Sequence, residues 1–325
     1  MITTENPANV LAIDIGGTKL AIGIVSKDGD LLASLRCPTL AHEGPDAVLS
    51  RILDLSRTLL KDHPVTAVGV GCGGPLDAEK GIIKNPPNLP GWLDYPLGDL
   101  LRQNLGLPVF IDNDANAAAL AEYRFGAGRG TRHMVYLTLS TGIGGGIIID
   151  GRLYRGKHGN AGELGHISIK HDGRKCNCGN SGCLEAYCSG TSIAKRAREL
   201  AAEHPGSVLE KLAGTVEGIR AETVLEALRQ QDPLTTSFWE ETLDMLASGI
   251  TSVIHTFDPE RIVLGGGITN FGPLLFEPLR ARVNKITIPD LNAGVDIVPA
   301  ELGNHVGILG AAAVALQHQE QEVLA

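Results

Sequence analysis

Aromatic side chains are scarce in this chain of 325 residues, with 2 Trp, 5 Tyr and 6 Phe. Positive charge is short as well, because 28 Lys and Arg face 37 Asp and Glu and leave a net charge of −9. That balance argues against a broad surface for nucleic acid or for an anionic membrane, though not against a local cradle of amides for an anionic ligand. No long apolar run is present. The most apolar helical stretch, Met245 to Phe257, is uncharged for 13 residues, whereas a membrane span needs about 20. The opening M-I-T-T-E-N-P has neither the basic nor the apolar region of a secretory signal. A cytoplasmic protein with no membrane and no nucleic-acid partner is the expectation. The chain also lacks G-x-x-x-x-G-K-[ST] and G-x-S-x-G, which excludes a P-loop NTPase and an α/β-hydrolase.

What is abundant is glycine, 41 residues, beside a hydrophobic fraction of 43%. This suits an α/β protein with many close backbone approaches, and the length suggests two domains. Apolar runs at Val10–Ile13, Leu20–Val25 and Leu31–Leu35, separated by tight turns, predict an antiparallel meander. Val48, Ile52, Leu55 and Leu59 predict a helix over 45–61, and Val65–Val70 a buried strand. Residues 73–92 are rich in Pro and Gly and predict a loop. A strand at Val109–Ile111 and an Ala-rich helix at Asn116–Phe125 come after it.

The pattern then restarts. Strands are predicted at Met134–Leu139, Ile147–Ile149, Ile262–Leu264 and Val295–Val298. Helices are predicted at 190–202, 221–229, 235–257, from about Pro273, and at 305–317. A hairpin with a Gly-rich turn thus occurs twice, near 14–19 and near 140–146, each opening a meander followed by α/β units. This is a weak internal repeat of two similar lobes, and ligands favour the interface of such lobes.

Three Gly turns at strand ends carry candidate chemistry. In Asp14-Ile15-Gly16-Gly17-Thr18-Lys19 the glycines let backbone amides approach a phosphate, and Asp14 suits a hydrated Mg²⁺. An ordinary hairpin turn explains the same residues. Ser140-Thr141-Gly142-Ile143-Gly144-Gly145-Gly146 holds more glycine than a hairpin needs, and Gly265-Gly266-Gly267 ends a later strand. Gly69-x-Gly71-x-x-Gly74 matches a dinucleotide fingerprint, but Pro75 and a loop follow where that motif requires a helix. Asp112-Asn113-Asp114 lies at a strand-to-helix junction, where helix capping and a general base are both open readings.

The densest cluster is His166, Cys176, Cys178 and Cys183, within eighteen residues and with glycines at the bends. Three sulfurs and an imidazole suit a tetrahedral zinc; buried thiols or a disulfide fragment are the plain alternative. A C-x-C pair is poorly placed to bond to itself. Four protein ligands would leave no open position, so the zinc expected is structural. Cys37, Cys72 and Cys188 have no such company and read as small core residues. Glu163 and Glu185 flank the cluster.

Taken together, D-I-G-G-T-K at 14–19, D-N-D-A-N-A-A-A-L-A-E at 112–122, S-T-G-I-G-G-G, A-G-E-L-G-H at 161–166 and C-N-C-G-N-S-G-C-L-E at 176–185 resemble the ROK family of repressors and sugar kinases. The resemblance runs from about Val10 to about Leu316. It implies the α/β actin-like (ribonuclease H-like) ATPase fold: two lobes with a cleft between them, a small lobe over 1–115 completed by helix 305–325, and a large lobe over 116–304.

It also implies roles for residues. Asp14, Gly16, Gly17, Thr18 and Lys19 would face ATP phosphates and Mg²⁺. Thr141, Gly142 and Gly144 would form the facing turn, with Gly265 and Gly266 near the adenosine. Asp114 would take the proton of the sugar 6-hydroxyl, and Gly74, Asn88, Asn113, Glu163, His166 and Glu185 would complete the sugar pocket. Zinc on one ring nitrogen of His166 would leave the other to donate to a sugar hydroxyl. The expected activity is that of an ATP-dependent hexose 6-kinase, nearest to the glucokinases. The alternatives are an N-acetylglucosamine or N-acetylmannosamine kinase, or a regulator without its DNA-binding domain, since only nine residues precede the first strand. A homo-oligomer, dimer or tetramer, is the partner expectation.

Overall fold

The computed structural model describes residues 9–292 and 294–324. It divides into two compact units: Met1–Thr131, Gly146–Ala161 and Glu301–Ala325 form the first, Arg132–Gly145 and Gly162–Ala300 the second.

In the first unit, β1 (Val10–Ile15), β2 (Lys19–Val25) and β3 (Leu31–Pro38) form the expected meander. β3 alternates half-buried and exposed residues, as an edge strand does, whereas β1 is buried along nearly its whole length. Helix α1 (Pro45–Leu60) buries Val48, Ile52 and Leu59. β4 (Ala67–Cys72) pairs parallel to β1. The Pro/Gly segment contains a two-residue hairpin, β5 (Leu76–Asp77) with β6 (Ile82–Ile83). Helix α2 (Leu97–Leu105) is next, then β7 (Val109–Asn113) and α3 (Asp114–Phe125). The sheet order is β3-β2-β1-β4-β7.

Asp14 of β1 pairs with Gly71 of β4, and Gly71 pairs with Asp112 of β7. This register leaves the carboxyl ends of three parallel strands level, the edge at which open α/β sheets bind ligands.

The second unit starts with β8 (Met134–Leu139). β9 (Ile143–Ile149) begins in that unit and ends in the first, where β10 (Arg152–Leu153) pairs with it. Helices α4 (Glu185–Cys188), α5 (Gly190–Glu203), α6 (Val208–Ala213), α7 (Ala221–Arg229) and α8 (Pro233–Phe257) come next. α8 starts where it does because Asp232 accepts the Thr235 N–H at 2.8 Å ahead of Pro233. β11 (Arg261–Gly265) pairs parallel with β8 and with β12 (Asp296–Pro299), with α9 (Pro273–Ile286) and α10 (Pro289–Asn292) between them. The chain closes with α11 (Val306–Leu324), back in the first unit.

The unit boundary lies elsewhere than the expected division at 115/116: α3 and residues 146–161 join the first unit. The reason is packing. A Cβ at Gly310 of α11 would lie 2.7 Å from the Ala117 carbonyl carbon of α3, and one at Gly69 of β4 would lie 1.8 Å from the Ala311 carbonyl oxygen. Only bare backbones permit such closeness, so α11 holds α3 to the sheet. Among the described residues no helix is long and apolar enough to cross a membrane.

Candidate functional site

The level strand ends of the first unit gather Asp14, Gly73, Gly74, Asn113 and Asp114. Asn113 is the N-cap of α3, its side chain accepting the Ala115 N–H at 2.9 Å. Asp114 Oδ1 accepts the same N–H at 2.8 Å, and Asp114 Oδ2 looks toward Gly73, 3.8 Å from where a Cβ would stand. A Cβ at Gly74 would lie 3.1 Å from the Asn113 amide nitrogen. The cap and the outward carboxylate oxygen therefore belong to neighbouring residues: Asn113 caps, and one oxygen of Asp114 is directed at the Gly73 loop.

Asp114 keeps surface open to solvent, yet protein atoms crowd it. That burial raises its pKa above the ordinary carboxylate value, against the lowering effect of backbone hydrogen bonds. Asp14 is raised to about 6, first by burial and then by the charge of Asp114, with Lys19 and Arg36 opposing. Two acids that resist ionising together form a natural seat for a divalent cation. A Cβ at Gly307 would sit 2.1 Å from Asp14 Oδ2, so α11 begins flat against this carboxylate.

The turn between β1 and β2 is closed by the Gly16 N–H donating to the Lys19 carbonyl at 3.0 Å. Buried Thr39 donates to the Gly16 carbonyl at 2.6 Å. Thr18 and Lys19 are exposed. Asn88 packs on this turn: a Cβ on Gly17 would meet Asn88 Cβ at 2.8 Å. Asn88, Gly17 and the strand-end acids thus lie in one unit, as do Gly74 and Asn113.

In the second unit, His166, Cys176, Cys178 and Cys183 place their ligand atoms within 4.8 Å of one another. His166 Nδ1 is 3.6 Å from Cys176 Sγ, and Cys178 Sγ is 3.7 Å from Cys183 Sγ. Sulfurs about 3.8 Å apart are what a tetrahedral ion with ~2.3 Å bonds requires. The donor set fits a soft or borderline metal. With Nδ1 turned to sulfur, His166 Nε2 faces Glu163, 3.8 Å from its Oε2. The loop is bent by Gly182, at φ +76; a Cβ there would stand 1.7 Å from the Lys170 carbonyl oxygen. As thiols the cysteines differ: the Asn180 N–H lowers Cys178, whereas burial pushes Cys183 up to about 12.

Glu185 departs from the simple picture. Its Oε2 accepts the Ile143 N–H at 2.8 Å and lies 2.6 Å from a Cβ position on Gly142. The carboxylate thus ties the end of the Cys/His segment to the Gly142 turn.

Two of the cavities among the described residues lie in this unit. One, of about 420 Å³, is lined among others by Thr141, Gly142, Cys176, Glu185 and Lys195. The other, of about 480 Å³, is lined by Thr141, Arg198, Arg220, Gly267, Asn270 and Phe271 among others. At the end of β11 the cavity wall is Gly267. Gly265 is instead packed on Tyr136, and Gly266 makes the bend at φ +87. No motif in the sequence marked Arg198, Arg220 or Phe271, because they come from three separate parts of the chain: α5, the residue before α7, and the turn after β11.

The family model described as ROK family matches residues 10–318. The glucokinase of Thermotoga maritima is 40% identical over 305 residues, which cover 94% of this chain and 96% of that protein. The glucokinase of Streptomyces coelicolor is 36% identical, with the same two coverages. The xylose repressor of Bacillus spizizenii is 27% identical over 95% of this chain and 77% of that protein. Among solved structures, a ROK family glucokinase from Streptomyces griseus in complex with glucose and AMPPNP is similar with a TM-score of 0.79. It is 37% identical, over 95% of this chain and 99% of that one. A ROK hexokinase from Thermus thermophilus is similar with a TM-score of 0.83 and 33% identity, over 96% of this chain and 99% of that one.

Proposed function

The chain belongs to the ROK family, with the α/β actin-like ATPase fold of its kinases, and from that premise we propose that it is an ATP-dependent hexose kinase acting on the 6-hydroxyl of glucose. The observation that carries the reading is Asp114, an acid at the first turn of α3, held through one oxygen while the other points at the Gly73 loop. Phosphoryl transfer has a loose transition state, so catalysis rests on positioning more than on strong basicity. Asp114 orients the 6-hydroxyl and takes its proton, and its raised pKa brings it nearer to the range in which a general base works best.

Asp14 is the residue that would hold Mg²⁺, which when bound neutralises phosphate charge. Gly16, Gly17 and Thr18, with Lys19, offer the turn for phosphates, as do Thr141 and Gly142 in the second unit, where Gly144 lies not in the turn but in the strand β9 that follows it. The 480 Å³ cavity ending at Gly267 takes the nucleoside, beside the Gly265-Gly266 bend. Gly74, Asn88, Asn113, Glu163, His166 and the second oxygen of Glu185 read the sugar hydroxyls.

His166, Cys176, Cys178 and Cys183 would hold a structural zinc, whose contribution when bound is to fix ring orientation and tautomer. With Nδ1 on the metal side, His166 keeps a proton on Nε2, and Glu163 lies within reach to orient it. The protein works in the cytoplasm as a dimer or tetramer.

A coupled assay of ATP consumption over glucose, mannose, fructose and the N-acetylhexosamines tests this reading. Glucose is expected to give the highest kcat/KM. A clear preference for N-acetylglucosamine or N-acetylmannosamine would establish the amino-sugar alternative. Loss of the whole panel together with specific operator binding in a gel shift would establish the regulator.

A further inference from the structure

Behind Asp114 lies a buried ionic group to which neither the motifs nor the relatives give a role. Asp112 has a side chain only 2% exposed. Its Oδ1 accepts two hydrogen bonds, from the Asn113 N–H at 2.8 Å and from Asn116 Nδ2 at 2.9 Å. Its Oδ2 accepts from Arg155 Nε at 2.8 Å. The guanidinium reaches on to Gln317 Oε1 of α11 at 3.4 Å.

We propose that Asp112 and Arg155 are positioning residues for the reaction, setting the aim of Asp114 without touching the substrate. The argument is geometric and rests on the kinase reading. Asp112 holds the chain on both sides of Asp114. Through the Asn113 N–H it fixes the peptide just before the base; through Asn116 it fixes the turn just after. Asp114 can then tilt only if the first turn of α3 tilts. Arg155 supplies the opposite charge beside Asp112, since a buried carboxylate needs a partner and full hydrogen bonding.

Arg155 is brought there by a detour of the chain. β9 and β10 carry residues 146–161 into the first unit, where the Tyr154 N–H donates to the Ile147 carbonyl at 2.8 Å and the Ala161 N–H to the Arg155 carbonyl at 3.1 Å. The detour ends on the back of the catalytic turn. Bulk packing alone would not call for an arginine there. Asn116 Oδ1, buried and without a hydrogen-bond partner, shows that Asn116 is used through its amide nitrogen, in service of Asp112.

The test uses the full-length enzyme and the variants Asp112→Asn, Arg155→Ala and Arg155→Lys. Measured values are kcat, KM for glucose and for ATP, and the folded fraction by circular dichroism. Misplacing a catalytic group by about 1 Å costs on the order of 10²-fold. The expected result is therefore a loss of about 10–100-fold in kcat per folded molecule for Asp112→Asn and Arg155→Ala, with both KM values within about threefold. The Asp112→Asn/Arg155→Ala double variant should be little worse than either single one. Arg155→Lys keeps the charge but not the planar fork, and should fall between wild type and Arg155→Ala; it carries the test if Arg155→Ala does not fold. A folded Arg155→Ala or Arg155→Lys with wild-type kcat, or a rise in KM equal to the loss in kcat, overturns the proposal. A wild type that phosphorylates no hexose overturns the kinase reading and this inference with it, whereas an active wild type with unaffected variants overturns the inference alone.

Discussion

The strand-end acids of the first unit and the Cys/His loop of the second place functional groups by opposite means. Asp14, Asn113 and Asp114 stand at the ends of strands whose neighbours Ile13, Ile15, Val70 and Ile111 are all buried. A helix cap and a buried ion pair finish the placement. The segment 166–183 has no comparable core. Beyond the single 3-10 turn Leu164–His166 it shows isolated bridges, Ser168 with Cys183 and Lys175 with Ser181. Asn177, Cys178, Gly179 and Asn180 are exposed. Where apolar burial fixes the backbone, side chains can be aimed by hydrogen bonds alone. Where it does not, a cross-link can do the fixing, and the four converging side chains would provide one on binding a metal.

The largest expected effect tests the first half of that comparison. Asp114→Asn keeps the shape and the Ala115 hydrogen bond but removes the proton acceptor. Loss of a general base costs about 10²–10⁴-fold, so kcat should drop by that amount while glucose binding, measured by calorimetry, stays within about threefold. A variant with near-normal turnover would take Asp114 out of the base role.

Next in size is Cys178→Ala, which tests the second half. Elemental analysis should find the purified variant without zinc. Glucose affinity should weaken by about 10–100-fold, the range for lost support around a metal ligand, with nucleotide affinity nearly unchanged. Equal glucose affinity in the metal-free variant would show that His166 and Glu163 are held by the polypeptide alone, and the contrast between the units would vanish.

Legibility in the sequence divides along the same line. The Cys/His loop is local, so spacing alone gathered its four candidate ligands, and the structure brings their ligand atoms within 4.8 Å of one another. The strands of the first meander announced themselves by apolar runs. Helices α2 and α6 did not: one comes after a Pro/Gly-rich stretch and the other has only six residues. Arg155 was invisible for a different reason. Its partner Asp112 is 43 residues away and the two meet only through the fold. The large cavity drew on residues from 140 to 271, and no window of sequence contains such a set. Asn113 and Asp114 left capping and catalysis as rival readings; the structure shows Asn113 as the cap and leaves one oxygen of Asp114 facing the Gly73 loop.

A smaller effect separates metal from backbone within the loop. Gly182→Ala retains every ligand, but its Cβ would collide with the Lys170 carbonyl at 1.7 Å. Gly179 has a similar φ, +93, with nothing within 4 Å of its Cβ position. Gly179→Ala should therefore cost only the left-handed penalty of about 1–2 kcal/mol. Gly182→Ala should lower Tm clearly further and loosen the metal, measured by competition with a chromophoric chelator. Equal melting of the two would mean that the loop has enough slack to absorb the clash.

The smallest effect concerns the pH response of the strand-end acids, where the first unit sacrifices stability for function. Asp14 titrates near 6 in the fold against 3.8 for a free side chain, because burial and the charge of Asp114 disfavour its ionised form. Between those values the folded protein holds more protons than the unfolded one, so stability falls as pH rises from about 4 to about 6 and is level above. The whole difference is at most about 3 kcal/mol. Asp14→Asn should flatten that slope, raising Tm at pH 8 but not at pH 4. It should also weaken Mg²⁺·ATP binding, which in the wild type grows stronger up to about pH 6 as the carboxylate ionises. If wild type and Asp14→Asn show the same melting profile from pH 4 to pH 8, the strand-end acids carry no such strain, and the cation seat at Asp14 loses its electrostatic basis.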